Sequence, residues 1–189
     1  MASTKILQTG DPTLTTKAFP VRATGVKNKN IQGIINTLIK ILQKEHLTSI
    51  SAPQVGESKR IIAIQHIPKR GSFRTDKIPR TIIVNPVILD KTEKKELDWE
   101  RCKSVADGNL YALVPRSTSI ELIGFDRYGK KLNIRARGFK ARVIQHAIDH
   151  LEGRVFLEQV KPVDMRNLAS KNEWEKHHRK KWKKPQHVK

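Results

Sequence analysis

His146 and His150 stand four residues apart in Gln145-His146-Ala147-Ile148-Asp149-His150, an apolar run with helical periodicity. Each helical residue advances about 100°, so the two imidazoles project from one face, about 40° apart in rotation and one turn apart in rise. Neutral imidazoles so placed are the paired ligands of an H-E-x-x-H metal helix, whose glutamate takes a proton from metal-bound water. Here the position after the first histidine is Ala147. Two histidines on a buried helix are more often packed or hydrogen-bonded core than ligands, and a third ligand would change that. Cys102 is the one cysteine, so no intramolecular disulfide exists, and its thiol is core filling, a ligand or a nucleophile. As a thiolate it would complete a Cys-His-His set with a fourth tetrahedral position left for water.

Several elements must position these residues. The metal-type helix begins after Gly138, carries Phe139, Val143, Ile144, Ala147, Ile148 and Leu151 around much of its circumference, and ends at Gly153 as a C′ residue. Such a helix is buried. An earlier amphipathic helix is predicted from Asn30, with Ile31, Ile34, Ile35, Leu38, Ile39 and Leu42 as its core stripe. It ends near His46, a capping or surface residue, and Ser49 to Gly56 follows as an extended loop. Strands are predicted at Arg60–Ile64, at Thr81–Asn85 continued by Val87–Leu89, and at Leu110–Arg116, with Asp90 to Lys95 as a hairpin tip. Ser119–Phe125 and Lys131–Ala136 alternate apolar and polar across an Asp126–Gly129 turn, which predicts a hairpin with one buried face. Val155 to Val160 suits one more short strand. Residues 5–26 form a turn-punctuated arm expected to wrap the domain. Near the other end, Ser170 to Glu173 matches a capping box that opens a helix with Trp174, His178 and Trp182 on one face among cations.

A length of 189 residues fits one domain plus a tail. The net charge of +20 exceeds what solubility needs and points to a polyanion, most simply RNA or a ribonucleoprotein, then an anionic membrane surface. The plainer alternative is a basic protein from a basic compartment. No run approaches the roughly 18 apolar residues of a membrane span. The N-terminal stretch lacks a secretory h-region, and with Asp11 ahead of its first arginine, Arg22, it does not read as a transit peptide.

Three stretches together resemble a family. Leu47 to Gln54, Glu100-Arg101-Cys102-Lys103-Ser104 and His146 to His150 follow the order and spacing of the G-x-G-L-A-A-P-Q, E-G-C-L-S and H-E-x-D-H motifs of peptide deformylases. The likeness runs from Ile6 to Phe156 through Gly10-Asp11-Pro12, Val84-Asn85-Pro86, Val114-Pro115-Arg116 and Gln145. Ser51 and Ser104-Val105-Ala106 look most like the mitochondrial subclass, so the resemblance implies a mitochondrial setting. It implies an α+β domain over residues 1–165, with antiparallel sheets around the central metal-site helix, and a basic helical C-terminal extension over 166–189. It also implies removal of the formyl group from the formyl-methionine of nascent chains. One divalent metal, Fe(II) or Zn(II), would be held by Cys102, His146 and His150, and the oxyanion by the Gln54 amide and the Lys103 backbone N–H.

The departures fall where the chemistry would be. Ala147 removes the proton-moving carboxylate, worth roughly 10²–10⁴ in rate, or about 3–5 kcal/mol. Asp149 lies at about −60° of rotation from His146, whereas position 147 lies at about +100°, so it is not expected to substitute. Leu47 and Ser49 replace two glycines, Arg101 adds a cation beside Cys102, and Lys103 replaces an apolar residue. Three functions compete: a deformylase acting on formylated nascent peptides, a deformylase-like pseudoenzyme bound to RNA or a ribosome through its basic surface and tail, and a sensor of formylated N-termini.

Overall fold

The structure is a computed structural model that describes residues 5–68, 74–160, 168–178 and 186–188. Helix α1, Lys29–Lys44, starts where the Asn28 side chain accepts from the Asn30 N–H, and buries Ile31, Ile34, Ile35, Leu38, Ile41 and Leu42. It stops at Glu45, and the exposed His46 takes a left-handed φ of 50°. Two antiparallel sheets follow. The first has the order β1-β2-β3-β6-β7, with β1 at Ser49–Ser51, β2 at Ile61–His66, β3 at Ile78–Lys91, β6 at Ser119–Phe125 and β7 at Lys131–Arg137. The second has the order β8-β5-β4-β9, with β4 at Lys95–Arg101, β5 at Leu110–Ser117, β8 at Leu168–Ser170 and β9 at Gln186–Val188. Helix α2, Gly138–Leu151, packs against strands of both sheets. This is the expected α+β arrangement around the histidine-bearing helix.

Three expectations need correction. Ser49 to Gly56 is not simply an extended loop: Ser49–Ser51 pairs with Ile62–Ile64, and Ala52–Val55 forms a 3₁₀ turn. That turn is closed by Gln54, whose Oε1 accepts from the Ser51 N–H. Asp90 to Lys95 is not a hairpin tip. Strand β3 already has β2 and β6 as its neighbours, so the connection carries the chain to the other sheet, where β4 pairs with β5. Val155 to Val160 holds a 3₁₀ turn at Phe156–Gln159, capped by Glu158, whose carboxylate accepts from the Val155 N–H at 2.8 Å. Local capping overrides the β-branched flanks.

The N-terminal arm wraps the domain as expected and joins the first two motif stretches to the residue that follows the third. Leu7 N–H donates to Gln54 O, Thr9 N–H to Ser104 O and Ala18 N–H to Leu151 O, each at 2.8 Å. Ile6, Leu14, Ala18, Val21 and Val26 anchor it in the core. At the end of α2 the chain turns at Gly153, φ 69°, where a Cβ would lie 2.6 Å from the Thr15 carbonyl oxygen. Only glycine suits that position. The Ser170–Glu173 capping box is present and opens α3, Lys171–Glu173, which continues as a wider turn at Trp174–His178. Trp182 and the cations around it lie outside the described residues, as does the His178 side chain. Among the described residues no helix is long and apolar enough to cross a membrane.

Candidate metal centre

Cys102, which follows the last residue of β4, and His146 and His150 of α2 come together. One ligand atom from each lies within 4.8 Å of the others. Cys102 and His150 are buried and His146 half-buried, with Cys102 Sγ 3.2 Å from His150 Nε2. Gln54 completes the surround. Its Oε1 is occupied by the Ser51 N–H, so its Nε2 faces Cys102 Sγ at 3.6 Å and Ser104 Oγ at 3.0 Å. The 3₁₀ turn therefore fixes which end of the amide points into the site.

Behind the cluster lies an ionic network. Glu100 Oε2 bonds His146 Nδ1 at 2.8 Å, which leaves the Nε2 of that ring for the cluster. Arg116 donates to both Glu100 oxygens, Nε to Oε1 at 2.9 Å and Nη2 to Oε2 at 3.0 Å. Arg142 Nη1 adds a 2.7 Å bond to Oε1 and also reaches the Val114 carbonyl at 2.8 Å. Asp149, also buried, bonds Arg116 Nη1 and stands 3.5 Å from Arg154. It faces this network, in line with its calculated direction on the helix.

The network sets the charges. Burial works against the Glu100 carboxylate, but the Arg116 charge and the bonds from His146 and Arg116 hold its carboxyl well below the usual range. Burial likewise opposes the Cys102 thiolate, yet His150 and His146 hold the thiol well below its ordinary value. Burial would lower His146, but its bonds to Cys102 and Glu100 outweigh that and raise it to about 10. The cluster thus sets a thiolate beside a positively charged His146 imidazole, the arrangement in which a divalent cation can replace a proton. One thiolate and two imidazoles fit Fe(II) or Zn(II).

The remaining site residues are also placed. Ala147 is fully buried among Ile144, Ile148 and Leu151, and its carbonyl accepts from Ser51 Oγ at 2.7 Å. It offers no proton acceptor from its side chain. The Lys103 N–H has no acceptor among the described residues, while the Lys103 ammonium pairs with Asp107 at 2.9 Å and stands 3.9 Å from Glu45. Arg101 does not crowd the thiol. Its guanidinium turns to the Gly108 carbonyl and lies 5.8 Å from the centre of the Tyr111 ring. A cleft of about 800 Å³ opens over the site, lined by Leu47 and Ser49 after α1, by Cys102 and Lys103, by His146, and by Trp174.

Sequence reasoning met Glu100 and Arg116 only inside family-like stretches and gave no role to either or to Arg142. Two signals bear on Arg142 and Glu100: an arginine four residues before His146 on the same helix, and a glutamate two before the cysteine.

A protein-family model described as polypeptide deformylase matches residues 3–166. The chain is 32% identical over 173 residues to the chloroplastic/mitochondrial peptide deformylase 1A of Arabidopsis thaliana, covering 87% of this chain and 64% of that protein. It is 33% identical over 162 residues to peptide deformylase 1 of Bordetella pertussis, covering 82% of this chain and 86% of the relative. Human mitochondrial peptide deformylase is 28% identical over 165 residues, with 82% and 67% covered. The chain spans under two thirds of the plant relatives it matches, 64% and 62% of their lengths. Among solved structures, the Met-Ala-Ser-bound class I type b peptide deformylase of Acinetobacter baumannii superposes with a TM-score of 0.78 at 26% identity, covering 85% of this chain and 99% of that one.

Proposed function

The chain belongs to the polypeptide deformylase family, and we propose that it keeps the family's metal ligands and peptide cleft but deformylates slowly. The observation that carries this reading is the pairing of a buried Ala147 with a Glu100 already committed to Arg116, Arg142 and His146. Among the described residues, Glu100 is the carboxylate that touches the ligand cluster; it is spent on orienting a ligand, and its depressed pKa makes it a poor proton acceptor.

In this reading Cys102, His146 and His150 hold Fe(II) or Zn(II). When bound, such a metal lowers the pKa of water and polarises a carbonyl oxygen. The chain's own residues do the rest. Glu100 fixes the His146 ring through Nδ1. Gln54 Nε2, steered by its Ser51 bond, and the Lys103 N–H, which has no acceptor among the described residues, are donors for a developing oxyanion. Among the described residues no side chain stands ready to take the attacking proton or return it to the leaving amine, and in this reading that step limits the rate. The substrate class is formylated nascent peptides, and the setting is mitochondrial by likeness to organellar relatives. Residues 1–165 act as the deformylase-like domain, with 166–189 as an extension. Formate release from formyl-Met-Ala-Ser by Fe(II)-loaded protein is expected to be slow yet above a His150→Ala control. A rate equal to that control would remove the enzymatic part of the reading.

A second reading, RNA or ribosome binding, is supported by the net charge of +20 and by Lys131, Arg135 and Arg137, exposed on one face of β7. The two readings are compatible.

A further inference from the structure

The cleft over the ligand cluster has a wall that comes from outside the family-matched stretch. The family model ends at residue 166, yet Lys171, Trp174 and Glu175 line the same cleft as Cys102, Gln54 and His146. This placement is built in. Strand β8 pairs with β5, Leu110 with Ser170 and Tyr111 with Ala169, and the Lys171 N–H donates to the Asn109 carbonyl at 2.7 Å. The chain then turns through the Ser170–Glu173 capping box, and the Trp174 indole lands flat on Tyr111, with centroids 4.6 Å apart and planes 5° apart. Arg101 stands 5.8 Å from the centre of the same tyrosine ring, so cation, phenol and indole are gathered beside Cys102. The buried Trp174 Nε1–H has no acceptor among the described residues, so stacking on Tyr111 is what holds the ring.

We propose that Trp174 is a specificity-determining residue of this cleft, presenting its indole to a side chain of the bound peptide beyond the first residue and favouring apolar or aromatic side chains there. The proposal rests on reading the cleft as a peptide site. A flat aromatic wall held by stacking gains most from another flat or apolar group and little from a small one. The neighbouring Lys171 and Glu175 are exposed.

The test is calorimetric binding of Met-Ala-Ser, Met-Phe-Ser and Met-Ala-Phe to the full metal-loaded chain and to its Trp174→Ala and Trp174→Leu variants, with melting curves to confirm folding. The parent is expected to bind one of the phenylalanine peptides roughly two- to tenfold more tightly than Met-Ala-Ser, the range of a single aromatic pair. In Trp174→Ala that preference should fall to within about twofold. Trp174→Leu keeps apolar bulk without the flat ring, and decides the matter by the same loss of preference if the alanine variant does not fold. A preference that survives both changes, or a parent that binds all three peptides alike, overturns the proposal but not the peptide cleft. Binding of none of the three by the parent overturns both.

Discussion

Glu100 gives the ligand cluster its character, because it is the point where a buried carboxylate, two arginines and a metal-type histidine meet. Replacing it with glutamine leaves Arg116 and Arg142 without their shared counter-charge, and breaking buried pairs of this kind costs roughly 3–5 kcal/mol. Glu100→Gln is therefore expected to lower the urea midpoint and the metal content of the purified protein; unchanged values would show the network to be dispensable. The same carboxyl makes stability pH-dependent. Its folded pKa is depressed below the unfolded value of about 4.3. The stabilisation is therefore complete above that pH and is lost as pH falls, since the unfolded chain takes up a proton that the folded chain resists. Urea midpoints measured between pH 5 and pH 3 should fall more steeply for the parent than for Glu100→Gln. Parallel slopes would assign the acid sensitivity to other groups. Of these residues, Cys102, His146 and His150 were legible from spacing and motif, whereas the Glu100 partners were not. Arg116 and Arg142 reach Glu100 from another strand and from α2, and such pairings follow from topology and not from local pattern.

Helix α2 concentrates the candidate site, carrying Arg142, His146, Asp149 and His150 between two sheets. Its C-terminal stop fixes where the N-terminal arm can lie. Gly153 combines a φ of 69° with a Cβ position 2.6 Å from the Thr15 carbonyl oxygen, so Gly153→Ala must both strain the backbone and displace the arm. A loss of about 1–3 kcal/mol is expected from chemical unfolding, the usual scale for a strained non-glycine residue; a loss below ~0.5 kcal/mol would show that the arm yields freely. Helices α1 and α2 and the β6–β7 hairpin were readable because their apolar periods are local and strong. The connection at Asp90 to Lys95 was not, since nothing in a charged turn says whether the next strand pairs with its predecessor or joins another sheet. The Phe156–Gln159 turn was misread for a related reason: a single capping glutamate outweighed a β-branched composition.

The molecule as a whole couples a deformylase-family scaffold to a strongly basic surface and to a C-terminal segment that reaches back over the cleft. If the charge of +20 serves RNA, affinity for a ribosomal RNA fragment should drop at least tenfold between 50 and 200 mM salt, as counterion release requires when several phosphates are neutralised. Filter binding across that range checks it, and a flat salt response would assign the charge to something other than RNA. The central claim is narrower: the ligand set and peptide cleft are intact and proton transfer is what is missing. It is tested most directly by comparing kcat/KM for formyl-Met-Ala-Ser between the metal-loaded parent and Ala147→Glu, with metal content and melting temperature measured on both. The account predicts that the glutamate raises kcat/KM by roughly 10²–10⁴, the usual worth of a positioned general acid-base. A parent that already matches the variant, or a folded and metal-loaded variant that gains nothing, would contradict it.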